Sequence, residues 1–91
     1  MKTIYKYPLE MVDEQKFKIN LDYIIAVKEQ NGGLAMWAVV DPTLTEKEIT
    51  IKIVGTGNPF PDSDDCLHLE TVVMSYGNFV WHVFEKLEEK V

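Results

Sequence analysis

The stretch Asp22-Tyr23-Ile24-Ile25-Ala26-Val27-Lys28-Glu29-Gln30-Asn31-Gly32-Gly33-Leu34-Ala35-Met36-Trp37-Ala38-Val39-Val40 decides the fold. Its first half is rich in β-branched residues, Ile24, Ile25 and Val27, which pack well on a pleated surface. Asn31-Gly32-Gly33 follows, and Asn and Gly accept positive φ at little cost, so the chain turns back on itself as a hairpin. The return run, Leu34 to Val40, is almost unbroken in apolar residues and reads as a central strand covered on both faces. Asp41-Pro42 stops it.

Outward from this hairpin the dominant period stays at two. Thr3-Ile4-Tyr5-Lys6-Tyr7 alternates and ends at Pro8, which suits a short edge strand. Tyr5 and Tyr7 share a face opposite Ile4, so either the tyrosines or the isoleucine must point out. Gln15 to Ile19 sets Phe17 and Ile19 on one side and Lys16 and Lys18 on the other. Thr43 to Glu46 is a turn. In Glu48 to Val54, Ile49, Ile51 and Ile53 point inward and Thr50 and Lys52 outward. Residues 55–65 form one long loop. Cys66 to Ser75 is a strand with Leu67, Leu69, Thr71 and Val73 on one face. Tyr76-Gly77-Asn78 is a second hairpin turn, and Phe79 to Glu85 closes the set with Phe79, Trp81 and Val83 opposed to Val80, His82 and Phe84. Lys86 to Val91 is charged and suits a frayed helical turn.

Seven strands at intervals of about ten residues, with little or no helix, predict an all-β domain. The architecture expected is a small antiparallel sandwich or partly open barrel, as a single domain over residues 1–91. The pairing of the first two strands stays open.

Composition restricts the function classes. The chain is 46% apolar, 11% aromatic and 26% charged, the balance of a globular domain and not of a disordered one. Its apolar runs are far shorter than the ~20 residues a bilayer-spanning helix needs. A net charge of −6 argues against duplex nucleic acid or anionic membrane as partner. All nine basic residues are lysines, so any anion site must use lysine, backbone N–H groups or neutral side chains. Ser63 and Ser75 are the only serines, leaving few starting points for a serine nucleophile. The single Cys66 cannot close an intramolecular disulfide, which points to a reducing cytoplasm.

The candidate chemistry is concentrated in Gly55-Thr56-Gly57-Asn58-Pro59. Both glycines can take positive φ and gather successive N–H groups into an anion-binding nest. Thr56 and Asn58 add side-chain hydrogen bonds suited to a ribose or phosphate. The motif lacks the Gly-Lys-Ser/Thr ending of a P-loop. The same residues also read as a sheet corner, bent by glycine and stiffened by Pro59 and Pro61. The expected ligand-binding set is Gly55, Thr56, Gly57 and Asn58 with Tyr5, Tyr7, Trp37 and His82. The aromatics offer flat faces to an adenine-like ring, although Trp37, Trp81, Phe79 and Phe84 equally suit a core.

If the second hairpin turns at Tyr76-Gly77, residues facing each other sum to 153. His82 then opposes Thr71 and His68 opposes Glu85, leaving the two imidazoles roughly 10 Å apart along the strand. Asp62, Asp64 and Asp65 lack the glycine and distant Glu of a calcium loop and read as a solvated acidic loop. Cys66 and His68 share a strand face but sit too far apart for a direct thiolate–imidazole bond. No metal, cofactor or catalytic set stands out.

Four segments together carry a resemblance: Ile4-Tyr5-Lys6-Tyr7-Pro8-Leu9, Trp37-Ala38-Val39-Val40-Asp41, Gly55-Thr56-Gly57-Asn58-Pro59 and His82-Val83-Phe84-Glu85. In order and spacing they resemble a family of small, mostly phage- and prophage-encoded proteins of unknown function. The resemblance implies a phage genome and a bacterial host cytoplasm. By analogy of size and source it also implies a sponge that sequesters a nucleotide signal of bacterial immunity, such as a cyclic ADP-ribose isomer. The expectation is therefore a non-catalytic, homo-oligomeric binder of a small nucleotide-type ligand, its pocket lying where copies meet. The alternative is a phage protein that blocks a host protein through an exposed strand edge or acidic surface.

Overall fold

The hairpin at the centre of the sequence forms as its residues demand. Asn31 has φ 52° and Gly32 φ 83°, the two successive positive values of a type I′ turn, whose twist matches that of the flanking strands. In the computed structural model, which describes residues 1–60, 65–75 and 77–87, seven strands follow one another. They are β1 (Thr3–Leu9), β2 (Glu14–Ile19), β3 (Leu21–Gln30), β4 (Gly33–Val40), β5 (Lys47–Gly55), β6 (Cys66–Val73) and β7 (Val80–Lys86). All pairings are antiparallel.

The strands divide into two sheets, ordered β1-β4-β3 and β2-β5-β7-β6, stacked as a sandwich. β1 and β2 do not pair with each other: the chain leaves one sheet after Leu9 and enters the other at Glu14. Pro8 lies within β1, opposite Ala35, which an edge strand tolerates because only one of its sides needs N–H donors. Asp41 ends β4 with its own carboxylate, which accepts the backbone N–H (2.9 Å) and the hydroxyl (2.7 Å) of Thr43. Those two bonds hold its carboxyl below the usual carboxylate range.

The core lies between the sheets. Met36 and Ala38 of β4, Ile51 of β5 and Val83 of β7 are all 0% exposed. Ile49, Ile51 and Ile53 face inward as their alternation predicts, while Lys16 and Lys18 are exposed. Tyr7 packs against this core and meets Phe17 of the other sheet edge-on at 5.7 Å. Ile4 takes the opposite face and is 60% exposed; of the two tyrosines only Tyr7 reaches the core, and Tyr5 stays 54% exposed.

Two expectations about side-chain direction are corrected. β6 carries a bulge between His68 and Glu70, which shifts its register against β7. Val72 and Met74 are therefore buried, while Thr71 and Val73 are exposed, the reverse of the simple alternation. β4 is central, and on its outer face Ala35 and Val39 are buried as a covered strand requires, but Trp37 is not in the core. Trp37 lies there beside Lys6 and Ala26, half-buried and outside the core cluster. At the far end of the sequence Lys86 belongs to β7 and Leu87 donates its N–H to the Asp65 carbonyl at 2.6 Å. The rest of the expected helical turn, residues 88–91, lies outside the described residues, as do Tyr76 of the second hairpin turn and residues 61–64.

Glu85 gives the fold a pH dependence. It stands opposite Ile51, and its burial raises the pKa of its carboxyl, against the pull of Lys47. The folded state therefore binds a proton that the unfolded state has released, so this group's contribution to stability falls as pH rises through the carboxylate range. Glu85→Gln is expected to raise Tm at neutral pH, with the gain vanishing towards about pH 4, as read by thermal unfolding across pH.

Candidate functional site

Gly55 ends β5, and the chain turns at once. Asn58 donates its N–H to the Gly55 carbonyl at 3.1 Å, and Gly57 in the third position has φ 90°, the value a type II turn reserves for glycine. Gly55 itself is not in the left-handed region. A Cβ there would meet Asn58 Nδ2 at 3.0 Å and the Trp81 ring at 3.1 Å, so glycine serves close packing at that position. The N–H of Thr56 donates to the Val80 carbonyl at 3.2 Å, tying the turn to the start of β7. The nest expectation is thereby corrected, because the N–H groups of Thr56 and Asn58 are already engaged by backbone. What the turn offers a ligand is the side chains of Thr56 and Asn58.

Beneath the turn, on the outer face of the β2-β5-β7-β6 sheet, lies a hollow of about 260 Å³, open to solvent. Its walls include Thr56, Asn58, Phe60, His82 and Phe84. Phe60 and Phe84 meet with ring centroids 4.3 Å apart and planes at 35°. A neighbouring hollow of about 430 Å³ shares Val54, Asn58 and Phe60 with the first and adds Asp13 and Lys52. Lys52 is 4.0 Å from the Glu14 carboxylate.

A chain of hydrogen bonds runs out from the hollow. Thr56 Oγ1 is 2.8 Å from His82 Nε2, and His82 Nδ1 is 3.0 Å from Thr71 Oγ1. Thr71 Oγ1 is in turn 2.9 Å from His68 Nε2. Thr71 opposes His82 in the register its numbering predicts. His68 does not oppose Glu85, because the bulge shifts it onto Phe84, whose ring it meets edge-on at 5.3 Å. The two imidazoles, expected to be separate, are joined through a single hydroxyl.

Of the residues expected in a binding set, the structure gathers Gly55, Thr56, Gly57, Asn58 and His82 around one hollow. Tyr5, Tyr7 and Trp37 are not part of it, because they belong to the other sheet. Tyr5 and Tyr7 line a separate hollow with Lys18, Ile19 and Glu46, near the start of β5 rather than its end. Trp37 lies on the outer surface of β4. Phe60 and Phe84 complete the hollow, while Thr71 and His68 lie outside it and are joined to it through His82; none of the four was assigned to it from sequence. Outward direction for Phe84 followed from its alternation with Val83, and the contact of Thr71 with His82 from the hairpin register; the contact of Thr71 with His68 depends on a bulge that has no local signature.

Among the described residues, no group of three or more His, Cys, Asp and Glu is placed to hold a metal ion. No helix among them is long and apolar enough to cross a membrane. Of the acidic loop cluster only Asp65 is described, and it is exposed. One family matches residues 1–91, the Domain of unknown function (DUF7352). No curated protein and no solved structure matches the chain.

Proposed function

The chain belongs to the DUF7352 family, and from that premise we propose that it binds a small nucleotide-type ligand at the Gly55–Asn58 turn without transforming it. The observation that supports this most is the conjunction in one hollow of an aromatic pair, Phe60 and Phe84, with polar anchors at Thr56, Asn58 and His82. A flat base needs a π-face and a few convergent hydrogen bonds, and this is that combination. The hollow is below the usual volume of about 300–1,000 Å³ for a small-molecule site. A second copy seated over it would complete the enclosure, so the proposal includes a homo-oligomer with the ligand held between subunits. The resemblance to phage-encoded proteins supplies the setting proposed: sequestration of an ADP-ribose-like or cyclic-nucleotide immune signal in a bacterial cytoplasm.

A thermal-shift screen against adenine nucleotides and cyclic nucleotides, paired with gel filtration, tests the reading. The expected result is a shift by at least one nucleotide, an oligomeric mass, and ligand released chemically unchanged on heating. Thr56→Ala combined with Asn58→Ala should weaken binding several-fold while Tm stays close to that of the parent, because the turn is held by backbone bonds. Unchanged affinity in that variant would remove the turn from the site.

One observation favours a host protein as partner instead. The outer face of β1-β4-β3 exposes Ile4 and Tyr23, at 60% and 56%, beside half-buried Trp37. Exposed apolar patches of this kind mark protein contacts. Co-purification of a bacterial protein, with no nucleotide shift, would select that reading.

A further inference from the structure

Thr71 has one hydroxyl hydrogen and two imidazole neighbours, His82 Nδ1 at 3.0 Å and His68 Nε2 at 2.9 Å. It can donate to only one of them, so the other imidazole must supply its own N–H. A neutral His82 likewise has one N–H for its two partners, Thr71 and Thr56. Three arrangements of neutral imidazoles satisfy every contact. In one, the donors run from Thr56 through His82 and Thr71 to His68. In another, both imidazoles donate to Thr71 and Thr56 donates to His82. Both leave only lone pairs of Thr56 facing the hollow. In the third, His68 Nε2–H donates to Thr71, Thr71 to His82, and His82 to Thr56, which leaves the Thr56 O–H free to donate into the hollow. The third differs from the others at the atom that a ligand would touch.

An acceptor atom of a ligand at Thr56 Oγ1 would select the third. Around His82 the outward positions of β6 and β7 hold Thr71, His68, Phe84 and Lys86, with no carboxylate among them. Lys52 lies on β5 opposite Phe84. The carboxylates nearest this strip each have a partner, in one case the strip's own Lys52. Glu70 accepts the Thr71 backbone N–H at 3.0 Å and lies 3.9 Å from Lys28, while Glu14 lies 4.0 Å from Lys52. Asp13 lines the neighbouring hollow beside Lys52. An anion at these outward positions themselves would meet Lys86 and the Glu14-paired Lys52, and no carboxylate among the described residues there.

We propose that the ligand places an anionic oxygen, such as that of a phosphate, on Thr56 Oγ1, and that the Thr56–His82–Thr71–His68 chain makes Thr56 the donor it requires. The inference rests on the nucleotide-binding reading and adds the charge class of the ligand and its point of attachment. Thr71 and His68 are positioning residues: they lie outside the hollow and act through His82.

The test compares two probes, ADP-ribose and adenosine, by isothermal titration at pH 8 against the full chain. ADP-ribose should bind about tenfold or more tightly than adenosine, the increment of a hydrogen bond to a charged group. Thr71→Val keeps the β-branched shape on an exposed strand position and removes the hydroxyl. It should bring ADP-ribose affinity down to that of adenosine and leave adenosine affinity unchanged. Thr71→Ser should retain the preference. In the ADP-ribose complex, ¹⁵N spectra of the imidazoles should show the His82 proton on Nε2, the nitrogen facing Thr56, and the His68 proton on Nε2. Equal affinity of the parent for the two probes, undiminished ADP-ribose binding by Thr71→Val, loss of the preference in Thr71→Ser, or a proton of either imidazole on Nδ1 in place of Nε2 would each overturn this inference alone. No binding of either probe by the parent would overturn the nucleotide reading and this inference with it.

Discussion

Ile51→Ala is expected to lower the unfolding free energy by about 2–5 kcal/mol. Ile51 is fully buried in β5, an inner strand of its sheet, between Gln15 of β2 and Glu85 of β7. Removing its outer carbons forfeits their transfer from water and leaves a void that packed strands close only in part, at about 24 cal/mol per Å³ of residual cavity. In a domain this small, each kcal/mol lowers Tm by about 4–8 °C, so a loss of roughly 8–40 °C is expected from the product of the two ranges. Leu44→Ala, in the exposed turn after β4, is the control and should stay within about 0.5 kcal/mol. Urea titration of both variants measures the difference. A loss below about 1 kcal/mol for Ile51→Ala would mean that the two sheets do not meet at this residue.

Phe84→Ala should have the largest effect on binding. Phe84 faces outward from β7, in contact with Phe60 at 4.3 Å and with the edge of His68 at 5.3 Å. It forms part of the hollow and is absent from the core cluster. Its truncation therefore removes the stacking surface while the interior between the sheets stays intact. Stacking of a base on an aromatic side chain is worth about 1–3 kcal/mol, so ADP-ribose affinity should fall by about 5–150-fold, with a small change in Tm. Phe84→Trp should preserve binding. Titration of both variants with ADP-ribose decides the matter, and full affinity in Phe84→Ala would place the ligand elsewhere on the protein.

The two effects belong to opposite faces of one sheet. Ile51 and Val83 alternate with Lys52 and Phe84 along neighbouring strands, so structural and proposed binding residues sit one position apart in sequence. The sequence alone separates these roles well on β5 and β7, where the alternation is unbroken. It separates them poorly on β6. There a single bulged residue reverses the direction of everything that follows, exposing Thr71 and burying Val72. Trp37 shows a different failure. The apolar run marks a strand with neighbours on both sides, and Ala35 and Val39 are buried accordingly, but it does not reveal that Trp37 between them stays half-buried outside the core cluster.

Several features were determined by the chain's local chemistry. The all-β class, the Asn31-Gly32 turn, the inward isoleucines of β5 and the opposition of Thr71 to His82 follow from side-chain alternation and from the few residues that tolerate positive φ. Those are short-range properties of the backbone, present before any strand finds a partner. Only tertiary structure decided that β1 and β2 enter different sheets, that the tyrosines of β1 lie away from the glycine turn, and that one hydroxyl joins His68 to His82. The reason is physical. Strand partnership and bulge position are set by how two whole sheets close over a shared core, and that balance is distributed over many distant residues rather than written in any neighbouring few.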